Sequence, residues 1–221
     1  MLKTMKAVAL GLGFFGAPVV ANAAVIDFDG VPTSSAGSVP EMVLVEDGFT
    51  FGLTFTSPNA VGPAFFDTTC SGSACNGDGD LRPMTQGENG VAGNVLILQE
   101  TGSNVPDDAA TGGTITFTLL AGSSFIWEGA SAVDDGIFGF STVSDGNLGN
   151  IILTGERETG ITSFFSSKIN VGDSFTVSYS GSGGIDSLVL TAVPVPAALP
   201  LMFGAIGGLA FISRRRQTKQ A

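Results

Sequence analysis

Histidine is absent from this chain of 221 residues, and basic side chains, cysteine, tryptophan and tyrosine are scarce. Without histidine the protein cannot carry a Ser-His-Asp triad, a Cys-His pair, or a zinc, haem or copper site with histidine ligands. Charged residues make up 13% of the chain, about half the usual share of a globular protein. The formal net charge is −11, from 20 acidic and 9 basic residues, and it opposes binding to nucleic acid.

The few basic residues lie mostly at the two ends of the chain. Between residues 24 and 192 only Arg82, Arg157 and Lys168 are basic, whereas all 20 acidic residues fall in this range. This central body therefore has a net charge of −17 and meets the solvent as a polyanion.

The N-terminus has the pattern of a secretory signal peptide. Two lysines occur in the first six residues, an apolar run covers 7–20, and the small residues Ala21-Asn22-Ala23 follow. An uncleaved anchor helix is the alternative, but Pro18 and the short run favour cleavage after Ala23. We therefore expect residues 1–23 to be removed and the mature protein to begin outside the cytosol.

The C-terminus combines a proline motif, an apolar stretch and a basic cluster. Val193, Pro194, Val195, Pro196 and Ala197 lead into an apolar stretch over 197–213. As a helix this stretch covers about 26 Å, near the lower limit for the hydrocarbon core of a membrane. The next residues are Arg214, Arg215 and Arg216, which predict a stop-transfer signal with the body outside and 214–221 in the cytoplasm.

This three-part tail resembles the PEP-CTERM sorting signal of Gram-negative bacteria, in its Val-Pro-Leu-Pro-Ala variant, with Val195 in the place of leucine. The resemblance covers 193–221. It implies an exosortase-type membrane transpeptidase as a partner, which cuts near the motif after the protein has entered the inner membrane. It also implies a final location at the cell surface or outside the cell. A plain membrane anchor without processing is the alternative.

The body shows short segments in which apolar and polar residues alternate, as in half-buried β-strands. The clearest are 49–55, 115–119 and 175–179, with apolar residues at every second position. Further short strands are predicted at Val25 to Phe28, Val95 to Gln99, Phe125 to Trp127, Ile137 to Thr142, Asn150 to Leu153, Ser163 to Lys168 and Leu188 to Thr191. About ten strands separated by turns predict an all-β sandwich or jelly roll, in one domain over 24–192.

Phenylalanine dominates the aromatic residues, with 17 Phe against one Trp and one Tyr. Phenylalanine at alternating positions is typical of a core, whereas sugar-binding platforms usually expose Trp or Tyr. We expect the phenylalanines to form the core. Trp127 is interpreted as a core residue, with sugar stacking as the alternative.

Cys70 and Cys75 are the only cysteines, and the predicted compartment is oxidising. Two cysteines are too few for a metal-thiolate site, and their spacing is longer than in a redox Cys-x-x-Cys motif. We expect a structural disulfide that closes a small loop.

An acidic loop follows Cys75. Asn76, Asp78 and Asp80 alternate with glycines, and such spacing directs several oxygens at one centre, as Ca²⁺ requires. Leu81 replaces the glycine of the EF-hand pattern, so the loop is no EF-hand. With Glu100 and Asp108 these residues form our predicted Ca²⁺ ligand set. A second candidate joins Asp27 or Asp29 to Asp186, and a solvated turn is the alternative to any metal site.

The body segments 76–81, 93–100, 106–109, 112–117 and 134–135 resemble, in their order, uncharacterised secreted β-proteins that carry the same kind of tail. Our leading hypothesis is an exported, non-enzymatic surface or matrix protein of biofilm-forming bacteria, stabilised by Ca²⁺ and with exopolysaccharide as its expected ligand. The alternative is a polysaccharide-active enzyme on a jelly roll, since two carboxylates suffice for that chemistry. The lack of flanking Trp and Tyr disfavours the enzyme.

We predict that Ca²⁺ stabilises the folded body through the acidic loop. A cation that binds only the folded state adds about 2.7 kcal/mol at a hundredfold excess over its Kd. Thermal unfolding in millimolar Ca²⁺ and in chelator measures the effect, and the double variant Asp78→Ala, Asp80→Ala should lose it while remaining folded. If the unaltered protein has the same melting temperature in both buffers, the loop is a solvated turn and the Ca²⁺ prediction is wrong.

Overall fold

The computed structural model describes residues 23–31, 41–69, 81, 93–103, 105–155 and 157–193. In these ranges the protein has twelve β-strands and no helix. The strands, in chain order, are β1 (Ala23–Ile26), β2 (Glu41–Glu46), β3 (Phe49–Thr56), β4 (Ala60–Asp67), β5 (Asn94–Glu100), β6 (Gly113–Ala121), β7 (Phe125–Val133), β8 (Gly136–Thr142), β9 (Gly146–Leu153), β10 (Thr159–Ser163), β11 (Ser174–Tyr179) and β12 (Gly184–Ala192).

The strands form two antiparallel sheets of six strands each. Sheet A has the order β10-β7-β12-β5-β4, with β1 also paired to β12, and sheet B has the order β2-β3-β6-β11-β8-β9. Rings of the two sheets meet between them: the centroids of Phe51 on β3 and Phe125 on β7 are 5.9 Å apart. The predicted all-β sandwich is therefore confirmed. The predicted membrane helix lies outside the described residues, as does the predicted signal peptide except for Ala23, which is the first residue of β1.

The three strongest alternating segments are the central strands of sheet B. They are β3, β6 and β11, and their predicted apolar positions are buried or partly buried while the intervening residues are more exposed. Between β6 and β11, Phe117 pairs directly with Phe175, and their rings stack at 4.7 Å. Alternation predicted these strands correctly because only one of their faces is buried.

Two strands were not predicted, and each has a physical reason. In β2 the outward-facing Val43 and Val45 are apolar and exposed, which hides the alternation around the buried Leu44. In β4 the sequence contains Gly62 and Pro63, which argue against a strand. The proline is tolerated because β4 is the edge strand of sheet A and pairs only with β5.

Two predicted strands are displaced along the chain. The first begins at Ala23 and ends at Ile26, since Phe28 has a left-handed φ of 60°. The strand expected over Ser163 to Lys168 instead covers 159–163, and the chain then continues beside β7 without a regular ladder. In this part Phe164 N–H donates to Glu128 O at 3.0 Å and Ser166 N–H to Trp127 O at 3.0 Å.

The core between the sheets is aromatic, as predicted. Trp127 is fully buried, its ring contacts Phe140, Phe164 and Phe175, and its Nε1–H donates to Gly129 O at 2.9 Å. This burial confirms Trp127 as a core residue and removes it as a platform for a sugar.

A second, smaller apolar cluster covers the outer face of sheet A. Leu81 is fully buried there, against Ala64 and Phe66 of β4, Val95 and Ile97 of β5, and Val133 of β7. The residue that follows the acidic loop in sequence is therefore anchored on this face.

Both ends of the described body lie at one end of the sandwich. Ala23 pairs with Thr191, and Val193 N–H donates to Ser124 O at 2.7 Å. The connections 122–124, 143–145 and 170–173 lie at this end too, and we name it the proximal end. At the opposite, distal end, β8 begins, β9 ends, and the turn 180–183 precedes β12.

We predict that truncation of a core phenylalanine is far more costly than truncation of an exposed one. Phe175 is 0% exposed and Phe165 is 75% exposed. Because the same side chain is truncated at both positions, the difference in stability measures the effect of burial. Phe175→Ala should lower the free energy of unfolding by about 3 to 5 kcal/mol, and Phe165→Ala by less than about 0.5 kcal/mol. Urea unfolding measures both, and equal losses would contradict this account of the core.

Candidate functional site

Two buried aspartates and a serine form a polar cluster at the distal end. Asp108 follows β5, Asp134 follows β7, and Ser182 precedes β12. Ser182 Oγ lies 2.6 Å from Asp108 Oδ2 and 2.7 Å from Asp134 Oδ2. Gly183 N–H also donates to Asp108 Oδ2. We refer to Asp108, Asp134 and Ser182 as the distal acid cluster.

The local backbone explains how these side chains meet. Asp108 pairs across an isolated bridge with Gln99 of β5, which holds the 107–109 segment against the sheet. Asp134 has a left-handed φ of 78°, a conformation that aspartate tolerates better than most residues. Gly183 has a φ of 119°, and a Cβ there would lie 2.5 Å from the ring of Phe138, so only glycine lets the backbone approach Asp108 this closely.

The hydroxyl group of Ser182 carries one proton and lies within hydrogen-bond distance of both carboxyl groups. Asp108 also acts on Tyr179: burial, and then the charge of Asp108, raise the pKa of Tyr179 well above its usual value. The Tyr179 hydroxyl donates to Leu96 O at 3.0 Å.

The predicted Ca²⁺ ligands are described only in part. Asn76, Asp78 and Asp80 lie outside the described residues, as do Cys70 and Cys75. Asp108 forms an isolated bridge with Gln99, the residue before Glu100. The grouping of the five residues around one Ca²⁺ ion stays a prediction.

The acids of the second predicted group have described contacts of their own. Asp29 Oδ1 accepts a hydrogen bond from Asn94 N at 2.8 Å, and Asp186 Oδ1 accepts one from Ser187 N at 2.6 Å. Asp27 lies beside Glu46 at the end of β2. Among the described residues there is no group of three or more acidic or cysteine side chains arranged to hold a metal ion.

Sequence reasoning missed Ser182 and Asp134 as members of one site. Ser182 lies 74 residues from Asp108 and 48 from Asp134, and no local motif marks it. Only the strand pairing of sheet A places the three residues side by side.

The Asp27–Glu46 pair was also not predicted. Glu46 Oε1 accepts a hydrogen bond from Phe28 N at 3.1 Å, and this contact ties the end of β2 in sheet B to the chain after β1 in sheet A. Burial, and then the neighbouring Asp27 carboxyl group, raise the pKa of Glu46 to about 7. A carboxyl group that joins the two sheets is therefore neutral at acidic pH and charged at alkaline pH.

The sorting motif is described only at Val193, and Pro194 to Ala197 and Arg214 to Arg216 lie outside the described residues. In the part of the chain that the structure covers, no helix is long and apolar enough to cross a membrane. No protein-family model matches the chain, and no curated protein matches it.

We predict that Glu46 makes the protein less stable as the pH rises. Its pKa of about 7 in the folded state exceeds the ordinary value of 4.5, so the folded state binds more protons between these values. The stability is greatest below about pH 4.5 and falls as the pH rises through 7. Solvent screening of this half-buried group reduces the full effect of about 3 kcal/mol to roughly 1 to 2 kcal/mol.

Urea unfolding at pH 5 and pH 8 checks this expectation. Glu46→Gln should remove most of the pH-dependent loss because its side chain stays neutral. Asp47→Asn, at the exposed neighbouring residue, is the control and should keep the loss. The same loss in Glu46→Gln as in the unaltered protein would assign the pH dependence to another group.

Proposed function

We propose that the protein is an exported, non-enzymatic cell-surface or matrix protein, sorted through its C-terminal signal. The observation that carries this proposal is the position of the chain ends. Ala23 pairs with Thr191 and Val193 N–H donates to Ser124 O, so the described body begins and ends at the proximal end. A body held through one end keeps its faces and its distal end available to a partner outside the cell.

We further propose the jelly roll as the type of sandwich. Four strand pairs support it: β5 with β12, β6 with β11, β7 with β10, and β8 with β9. These pairs form one long antiparallel hairpin rolled into two sheets, to which β3 and β4 add at the edges. Jelly rolls occur in lectin domains, which makes a sugar ligand reasonable for this scaffold.

The burial of the distal acid cluster supports a non-enzymatic role. A carboxylate pair that cleaves glycosidic bonds must reach the sugar, whereas Asp108 and Asp134 are 5% and 0% exposed. Among the described residues they accept hydrogen bonds from Ser182 Oγ and from the backbone N–H groups of Gly183 and Arg157.

For an exopolysaccharide ligand, we place the contact on the outer face of sheet A. A shallow groove of about 520 Å³ lies there between β1, β12, β7 and β10. Its lining combines the exposed ring of Phe165 with Glu128, Thr162 and Ser163, and so offers a stacking surface beside hydrogen-bonding groups.

We also propose that Ca²⁺ binds at the predicted ligand set of Asn76, Asp78, Asp80, Glu100 and Asp108. The anchoring of Leu81 on sheet A supports this proposal, since it fixes one end of the acidic loop.

The test of the proposed function is cell fractionation of tail variants. A chain that ends at Ala192 should appear as soluble exported protein, and the full chain should enter the inner membrane, since the body has no apolar run that spans a bilayer. The double variant Pro194→Ala, Pro196→Ala keeps the apolar stretch and should stay in the membrane unprocessed.

Equal membrane association of the full chain and the chain ending at Ala192 would contradict the anchoring. If the purified protein cleaves any polysaccharide in a panel of such substrates, the non-enzymatic proposal is wrong. The jelly-roll enzyme then becomes the proposed function.

A further inference from the structure

The proximal end exposes apolar side chains at its outermost turns. Val143, in the turn between β8 and β9, is 93% exposed, and Val171, in the turn before β11, is 55% exposed. A depression of about 490 Å³ lies between these turns, and Val143, Lys168 and Asn170 are among its lining residues. Lys168 is one of two basic residues in the described part of the chain.

The chain continues from this end toward the apolar stretch 197–213. Three residues, 194–196, separate Val193, the last described residue, from Ala197. Fully extended, the four Cα–Cα steps from Val193 to Ala197 span at most about 14 Å. Val193 itself is held against the body by its hydrogen bond to Ser124 O. Once residues 197–213 lie in a bilayer, the proximal end is confined to the headgroup region and its immediate neighbourhood.

We propose that the proximal end is a lipid-contacting surface, in which Val143 and Val171 enter the headgroup region and Lys168 faces lipid phosphate. This inference rests on the membrane anchoring proposed above, and it adds which end of the body faces the bilayer. Along β12 the body measures about 30 Å. The distal acid cluster and Ile152 therefore point away from the membrane.

The acidity of the body weakens the binding of this surface to a bilayer. Asp145 and Asp173 lie at the same end, where hydrogen bonds from Ser167 and Asn170 hold their carboxylates. These negative charges oppose binding of the free body to anionic lipid. A short tether raises the effective concentration of the surface at the bilayer to the millimolar range, so that a weak contact suffices.

The experiment compares two introduced tryptophans in the full chain. Val143→Trp marks the proximal end, and Ile152→Trp marks the distal end at a residue that is 64% exposed. The native Trp127 is fully buried and gives a constant background in both variants. Each protein, purified with its tail intact, is placed in vesicles of phosphatidylethanolamine and phosphatidylglycerol, with or without a lipid that carries a nitroxide quencher on its headgroup.

We expect the quencher to remove most of the added emission of Val143→Trp and almost none of that of Ile152→Trp. Alkaline carbonate extraction of the same vesicles reports independently whether the tail is integrated. Integrated protein with equal quenching of the two variants would overturn the lipid-contacting surface and leave the anchoring intact. Release of the protein by carbonate would overturn both.

Discussion

The aromatic layer between the two sheets is the interaction on which the rest of the structure depends. Phe175 lies at its centre: it stacks on Phe117 within sheet B and meets Phe125 and Trp127 of sheet A, with Trp127 at 4.4 Å. Edge-to-face and stacked rings are directional as well as apolar, so they fix the positions of facing strands as well as holding them together.

The sequence allowed prediction of this layer because its signal is local. In β3, β6 and β11 the buried residues recur at every second position, and that period is visible without knowledge of any partner strand. The same reasoning failed for β4, where Pro63 is acceptable only because the strand lies at an edge. Edge position is a property of the whole sheet, which a local pattern does not contain.

The candidate sites show the same difference between local sequence patterns and contacts that depend on the whole fold. The acidic loop was predicted from residues two apart, but the distal acid cluster joins residues that are 48 and 74 positions apart. Its members have ordinary local surroundings in the sequence, and their chemistry arises only when β7 and β12 pair at Val133 and Gly184. The contact of Glu46 with Phe28 likewise depends on how sheet B faces sheet A.

Buried acids of this body depend on donors that the fold holds in place. Asp108, Asp134 and Asp186 are buried, and burial of a carboxylate is costly unless partners compensate it. Around Asp108, hydrogen bonds from Ser182 and from the Gly183 N–H offset part of this cost. Such bonds need fixed donor positions, which the strand pairing provides. The pairing of β7 with β12 thus places the Ser182 and Gly183 donors beside Asp108 and helps the fold to keep this acid buried.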